Sequence, residues 1–574
     1  MMKLSRFLRP YRMSLIIVVT LTFLQALSDL YLPTLMSDIV DTGVVNGDIS
    51  YILKIGGFML LVAAGGMICS IVARYLSSTV SAGFGKDVRS KVFSHVAAFS
   101  LKEVDQFGTA SLITRTTNDI TQVQQVLNMI LRMMISAPLM CIGGVIMAVF
   151  KDIKLSFVII AVVPVLVMVI FAITRKSFPL YQAMQSKLDK LNLILNEGLT
   201  GIRVIRSFNR TDHEKKRFDE ANSDLIQTAI RVNQLMASLM PMMMLVLNFS
   251  TIAIIWFGGI RIDSGAIQVG DLMAFLQYAM QIMFSLIMVS MMFIMIPRSS
   301  ASAARINEVL EIVPDIKDGK QAATEEKKGV IEFRDVTFRF PWAEKPALSN
   351  ISFSARSGET IAIIGGTGSG KSALVNLIPR FYDVDSGSIL IDGVDIRDLP
   401  LTSLREKIGF VPQKAVLFSG TILDNIRFGK ESASEEEVKR AAEIAQADEF
   451  VSKLQDGYQT VIAQRGLNVS GGQKQRLTIA RAIVKKPEIY IFDDSFSALD
   501  FKTEAKLRTA LKQETANSTV FIVAQRVSTV MDADRIIVLD RGKIAGIGKH
   551  QELMDTCKVY REIVLSQLSE EEIA

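Results

Sequence analysis

Residues 365–372 read Gly-Gly-Thr-Gly-Ser-Gly-Lys-Ser, a G-x-x-x-x-G-K-[ST] spacing whose chemistry is phosphate binding. Gly365, Gly366, Gly368 and Gly370, with Thr367 and Ser369 between them, let backbone N–H groups close around phosphate oxygens, and the start of the next helix adds a positive dipole. Lys371 can reach the β and γ phosphates and Ser372 can ligate Mg²⁺. A Gly-rich turn would share the glycines, but it would not need lysine and serine in register between strand-like "TIAII" and helical "SALVNLIPRF". Further on, "IYIFDD" carries a buried strand into two carboxylates, Asp493 and Asp494. An acid at the end of such a strand suits a Walker B element that holds Mg²⁺ near the phosphates. Asp493 is expected to take that role, through water.

These residues need an α/β scaffold, and the second half of the chain supplies the pattern. The runs "GVIEFRDVTFRF", "TIAIIGG", "EIYIFDD", "TVFIVAQ" and "RIIVLD" alternate with helical stretches, which predicts a largely parallel buried sheet. The first half differs in kind. The whole chain has 574 residues, of which 49% are apolar, and a mean hydropathy of +0.33. Apolar runs near 14–36, 51–76, 127–149, 154–174, 236–262 and 271–296 are each about 20 residues or longer, enough to cross a hydrocarbon core of roughly 30 Å. Lys3, Arg6, Arg9 and Arg12 precede the first run, as in a signal peptide, but it continues to Leu35 with no small-residue cleavage site and is read as a retained span. The expected organisation is therefore an all-α, six-helix transmembrane domain over 1–312, a polar linker at 313–329 and an α/β nucleotide-binding domain over 330–574.

Charge sets the orientation and excludes one class of partner. The segments 77–125 and 175–235 are rich in Lys and Arg, whereas 37–50 and 263–270 carry neither Lys nor Arg. Both termini and two long loops are thus expected in the cytoplasm. The net charge of +6 is spread through loops and helix ends and not gathered beside aromatics, so no nucleic-acid groove is expected. Three cysteines, two of them (Cys69 and Cys141) in apolar stretches, make no disulfide framework.

Between the P-loop and Asp493 lies "LNVSGGQKQRLTIARAI", whose Ser470, Gly471, Gly472 and Gln473 resemble the "LSGGQ" signature of ABC transporter ATPases. The resemblance extends over nearly the whole chain, six spans followed by one nucleotide-binding domain. It implies that ATP and Mg²⁺ bind and that two nucleotide-binding domains pair head to tail, each signature facing the other's γ-phosphate. It also implies roles for other residues. Phe340 in "FRFP" matches the aromatic that stacks on adenine, Gln413 in "GFVPQ" the glutamine that senses magnesium, and Asp500 in "SALD" a loop at the dimer interface. The stretches 105–120 and 198–210 look like loops whose short coupling helices dock onto the ATPase domains.

Two positions depart from the family. Asp494 stands where a glutamate polarises the attacking water, and Gln525 in "VAQRVST" stands where the switch histidine would be. Asp494 is one methylene too short for a base that must come within about 2.6–3.2 Å of water, and base assistance is worth roughly 10²- to 10⁴-fold. This chain's own site is expected to bind ATP and turn it over slowly. The pattern resembles one half of a heterodimeric bacterial multidrug ABC exporter. Its partner would supply the catalytic Glu, the switch His and a P-loop facing this chain's Ser470 and Gly472, and its own signature would be the imperfect one. The expected function is ATP-driven efflux of small hydrophobic or amphiphilic compounds across the plasma membrane. A lipid or peptide exporter, or a regulatory or channel subunit, is the alternative.

For the cargo path the sequence offers Met236, Met240, Met242, Met243, Met244, Met273, Met280, Met283, Met288, Met291, Met292 and Met295, whose flexible thioethers accept varied apolar shapes. Within the spans Asn248, Gln277, Gln281 and Asp29 are polar; each could meet cargo or hydrogen-bond another helix.

Overall fold

The computed structural model describes residues 2–321 and 328–567, apart from the side chains of 2, 290–294, 297, 298 and 465. Residues 322–327 of the expected linker, and the side chains of Met291 and Met292, lie outside the described residues. The chain forms two compact units. One joins Met1–Ala97 to Thr109–Ile312, and the other joins Ala98–Gly108 to Val313–Ala574.

In the first unit, six helices are long and apolar enough to cross a membrane: Lys3–Val44, Ile49–Ala97, Thr109–Lys151, Ile153–Thr200, Thr211–Asp263 and Val269–Val289. The last belongs to a helix that runs on to Glu311. The loops expected at 77–125 and 175–235 are largely helical. The helix Ile49–Ala97 has 49 residues, about 74 Å at 1.5 Å per residue, more than twice the hydrocarbon thickness of roughly 30 Å. Hydropathy marks where a helix leaves the apolar layer and not where it ends, because Lys, Arg and Gln are good helix formers. Between the third and fourth helices a single extended residue, Asp152, turns the chain and caps the next helix by accepting from the Leu155 N–H at 2.7 Å. Arg261 pairs with the same carboxylate.

Leu30, Ile159, Ile254, Phe275 and Ile282 form the centre of the main apolar cluster of this unit. The hydroxyls of Tyr278 and Thr34 lie 2.8 Å apart, and Tyr278 also donates to the Leu30 carbonyl at 3.2 Å. A buried phenol is thus satisfied where no water is available. A side chain at Gly143 would place its Cβ 2.3 Å from a Leu30 methyl, so glycine sets how closely these helices approach.

The second unit contains two main sheets. One is four-stranded and antiparallel, in the order Leu348–Ala355, Ile331–Phe338, Ser386–Ile391, Val394–Asp395. The other is six-stranded, in the order Lys543–Gly548, Arg535–Asp540, Thr360–Gly365, Thr519–Val523, Ile489–Asp493, Ile408–Val411. All its neighbours run parallel except the outermost pair, Arg535–Asp540 with Lys543–Gly548. Every residue of Ile489–Asp493 is buried, as expected of a strand covered on both faces.

The short helix Leu101–Phe107 belongs to this unit. Ser100 and Glu103 close a capping box at its start, Lys102 pairs with Asp315, and Glu103 accepts from the Asp315 N–H at 3.1 Å. The described part of the expected linker is fastened along the same unit: Asp318 accepts from the Leu401 N–H at 2.7 Å, and the Gln321 N–H donates to Asp398 at 2.9 Å.

Candidate functional site

The site forms where parallel strands end. Thr360–Gly365 runs into the glycine loop, Ile489–Asp493 ends in the carboxylate pair, and Thr519–Val523, hydrogen-bonded between them, leads to Gln525. The carboxyl edge of a parallel sheet, beside a helix start, is where such folds hold ligands. In the loop, Gly368 and Gly370 have φ of +78° and +101°, left-handed values costly for any residue with a Cβ. A Cβ at Gly370 would also stand 2.8 Å from the Ala347 carbonyl. Gly366 and Thr367 are exposed at the tip, Gly365 is half-buried at its base, and Ser369 is buried.

Lys371 opens the helix Lys371–Leu377. Its ammonium donates to the carbonyls of Gly365 at 2.8 Å and Gly366 at 2.9 Å. Burial pulls its pKa below the usual lysine range, against the opposing pull of Asp494 and Asp493. A partly desolvated cation resting on two neutral carbonyls is suited to a phosphate. The Ser369 hydroxyl, buried and without a hydrogen-bond partner among the described residues, is an unsatisfied polar group in this loop.

The Ser372 hydroxyl donates to Asp493 at 3.0 Å. One hydroxyl and one carboxylate side by side suit Mg²⁺, which keeps waters and phosphate oxygens in its shell and takes few protein ligands. No group of three or more His, Cys, Asp or Glu able to hold a metal occurs among the described residues, so any ion here would depend on the nucleotide for the rest of its shell. Burial raises the Asp493 pKa, with the Ser372 hydrogen bond opposing and the Asp494 charge adding to it. An acid whose folded pKa is raised is penalised when ionised, and the penalty fades as pH falls through that value. Asp493→Asn is therefore expected to raise the melting temperature of the nucleotide-free chain at neutral pH, with the gap to wild type closing in acid, and to remove the Mg²⁺ dependence of ATP binding. Thermal melts across pH and nucleotide titrations with and without Mg²⁺ measure both effects.

Asp494 sits in left-handed backbone at φ +46°, and its N–H donates to the Val523 carbonyl at 3.0 Å. One oxygen of its carboxylate accepts from both Gln413 at 3.2 Å and Gln525 at 2.8 Å. The two unusual residues and the glutamine of "GFVPQ" thus meet at a single carboxylate oxygen.

The remaining positions lie in other surroundings. Phe340 is 37% exposed, with its ring edge-on to Phe338 at 4.9 Å and to Tyr382 at 5.6 Å. Tyr382 was not singled out by sequence; its signal was only an aromatic in "RFYD", ten residues past Ser372. Burial and the Asp105 carboxylate push its phenol pKa up. Ser470 caps the helix Gly471–Val484: its hydroxyl accepts from the Gln473 N–H at 3.3 Å while Gln473 accepts from the Ser470 N–H at 2.9 Å. A Cβ on Gly472 would meet the Ala498 carbonyl at 3.1 Å, whereas Gly471 faces open space. Asp500 caps the helix Phe501–Glu514 through the Thr503 N–H at 2.9 Å, which holds its carboxyl below the usual range. Among the described residues these signature side chains bond locally and make no hydrogen bond to the P-loop or to Asp493 and Asp494.

In the membrane unit, Asp29 and Gln281 line a cavity of about 470 Å³ with Met288, while Asn248 and Gln277 are exposed. Met243 and Met283 are buried against Leu166, and Met240, Met242, Met244, Met273, Met280 and Met295 are exposed.

Known proteins share this arrangement. Residues 15–297 match the family described as ABC transporter transmembrane region, and residues 348–497 match the family described as ABC transporter. An uncharacterized ABC transporter ATP-binding protein of Mycobacterium tuberculosis is 42% identical over 98% of this chain and 97% of its own length. The uncharacterized ABC transporter ATP-binding protein YfiB of Bacillus subtilis is 41% identical over 100% and 99%. An ATP-dependent lipid A-core flippase of Vibrio vulnificus is 31% identical over 99% and 97%. The structure of a bacterial Atm1-family ABC exporter with ATP bound superposes with a TM-score of 0.81 at 27% identity, over 98% of this chain and 99% of that one. With six membrane-length helices preceding a P-loop domain of matching sequence, the chain belongs to the ABC transporter family, as a multi-pass, ATP-hydrolysing half-transporter of the exporter type.

Proposed function

We propose that this chain is the degenerate-site half of a heterodimeric exporter of hydrophobic or amphiphilic compounds in the plasma membrane. The observation that carries this reading is Asp494, whose carboxylate oxygen accepts from the Gln413 and Gln525 amides. A carboxylate oxygen that already accepts two amide N–H bonds has its lone pairs engaged by protein donors and is not free to accept from an attacking water. Neutral glutamine cannot supply the charge that a protonated switch histidine would bring to the γ-phosphate. Lys371, Ser372 and Asp493 keep the arrangement needed to bind MgATP, and Ser470 with Gly471 and Gly472 keeps a capped helix start able to face a partner's γ-phosphate. Closure of the paired ATPase domains on ATP would switch the helices from inward to outward access, with hydrolysis mainly at the site built on the partner's Glu and His.

The experiment is to measure ATPase activity of the purified chain alone and paired with a homologous half carrying Asp-Glu and the histidine. Slow turnover alone and strong turnover in the pair, lost when the partner's glutamate becomes glutamine, is the expected result. Strong turnover by the solitary chain, unaffected by Asp494→Ala, would refute the reading. A second reading, lipid export, is favoured by the Vibrio vulnificus relative, whose name describes a lipid A-core flippase.

A further inference from the structure

The cavity beside Asp29 lies wholly within the membrane unit, between the helices that carry Asp29, Arg74, Arg132 and Gln281. Arg74 and Arg132 stand two and five residues from the ends of the apolar runs 51–76 and 127–149, and charged residues within a span that face a cavity point to a pathway or a ligand. Their partners sharpen this. Arg132 donates to the Ser78 hydroxyl at 2.7 Å and reaches the Arg74 carbonyl at 3.5 Å. Neither guanidinium pairs with a carboxylate among the described residues, and the Arg74 side chain makes no hydrogen bond there. Among the described residues the only side-chain bond to the Asp29 carboxylate is a long one from Gln25 at 3.4 Å. Gln281 donates to the Asp29 main-chain carbonyl at 3.1 Å, while its own side-chain oxygen is buried and accepts nothing. Three charges of both signs thus line one cavity without neutralising each other.

At about 470 Å³ this cavity is of ligand size. Its wall also carries Ala26, which borders a second cavity of about 560 Å³ lined by Phe23, Leu27, Leu30, Tyr31, Ile142 and Ile146 among others, nearly all apolar. A charged compartment and an apolar one meet at a single small residue.

We infer that this pair of compartments binds a zwitterionic amphiphile, with Arg74 and Arg132 meeting a phosphate or carboxylate, Asp29 meeting an ammonium group, and the alkyl chain passing Ala26 into the apolar compartment. Guanidinium groups suit such anions through charge-assisted hydrogen bonds. The inference rests on the exporter reading above and gives its cargo a chemical class.

The test uses the full chain in uncharged maltoside micelles and equilibrium binding of four radiolabelled, chain-matched probes. These are a lysophosphatidylethanolamine, a 2-aminoalkanoic acid, a lysophosphatidic acid and an alkylammonium. Wild type is expected to bind at least one of the two zwitterions about tenfold more tightly than either probe carrying charge of one sign only, and the tighter zwitterion identifies phosphate or carboxylate as the anion. Arg74→Gln with Arg132→Gln should weaken zwitterion binding by about tenfold or more, whereas Arg74→Lys with Arg132→Lys, which keeps the charge, should retain most of it. Asp29→Asn should abolish the preference of a zwitterion over the lysophosphatidic acid. ATP binding by each variant reports an intact fold. Binding of all four probes without charge preference, or wild-type affinity in the double glutamine variant, overturns this inference alone. Absence of saturable binding of every probe to wild type overturns the amphiphile-export reading with it.

Discussion

Lys371→Ala is expected to weaken ATP binding at this chain's own site by about 100-fold, a loss of roughly 2.7 kcal/mol, without lowering the melting temperature of the nucleotide-free chain. Among the described residues the cation holds only the Gly365 and Gly366 carbonyls, neutral acceptors available to water once the side chain is gone. Its depressed pKa has burial as its largest cause, so the charge is a cost in the nucleotide-free state and its removal relieves that cost. With ATP bound the same charge would meet phosphate oxygens, where hydrogen bonds between charged groups contribute about 1.5–3 kcal/mol each. Lys371→Arg should not rescue binding, since a planar guanidinium does not replace a compact ammonium inside a tight loop. Fluorescent-nucleotide titration and thermal melting separate the two effects. An unchanged affinity would mean that the loop does not hold phosphate through this lysine.

Asp494→Glu combined with Gln525→His is expected to raise single-turnover hydrolysis at this site by about 100-fold, within the range a positioned general base supplies. Each single change should recover much less. Glutamate alone would still meet the Gln525 amide that now donates to residue 494 at 2.8 Å, and histidine alone would face a carboxylate one methylene too short. The double variant should also be less stable by about 1 kcal/mol, because residue 494 has φ +46°, a conformation that aspartate tolerates better than longer side chains. The rate is measured in the paired assembly, with the partner's own glutamate changed to glutamine to silence the other site. If hydrolysis stays at the wild-type level, the defect lies outside Asp494 and Gln525, and the partner's signature becomes the place to look.

Much of this protein was legible in one dimension because its strongest signals are local. The P-loop is eight consecutive residues whose backbone carries the chemistry, so spacing alone identifies it. A membrane span is a run of apolar side chains, and its length answers to the bilayer. The sequence also pointed to Asp494 and Gln525 as departures, since each stands at a fixed distance from a recognisable motif. Less legible was the extent of the helices. The apolar run near 51–76 marks one span, but the helix continues through polar residues to Ala97, as helix propensity is indifferent to the solvent outside the membrane. The sequence placed a short docking helix in the stretch 105–120, and the fold sets the helix Leu101–Phe107, which overlaps only its start, in the ATPase unit.

Sequence by itself determined the family, the order of the two domains and the residue types at the nucleotide site, because those depend on composition, periodicity and short-range spacing. Only the tertiary structure decided which distant residues share a site. Parallel pairing of Val523 with Asp493 brings Gln525 against Asp494, and helix packing sets Asp29, Arg74, Arg132 and Gln281 around one cavity. Arg74 and Arg132 stand in different apolar runs, 58 residues apart, and packing brings them to one cavity. The physical reason is that electrostatic and hydrogen-bonding partners are chosen by distance in space, which strand register and helix crossings fix and which no local pattern encodes.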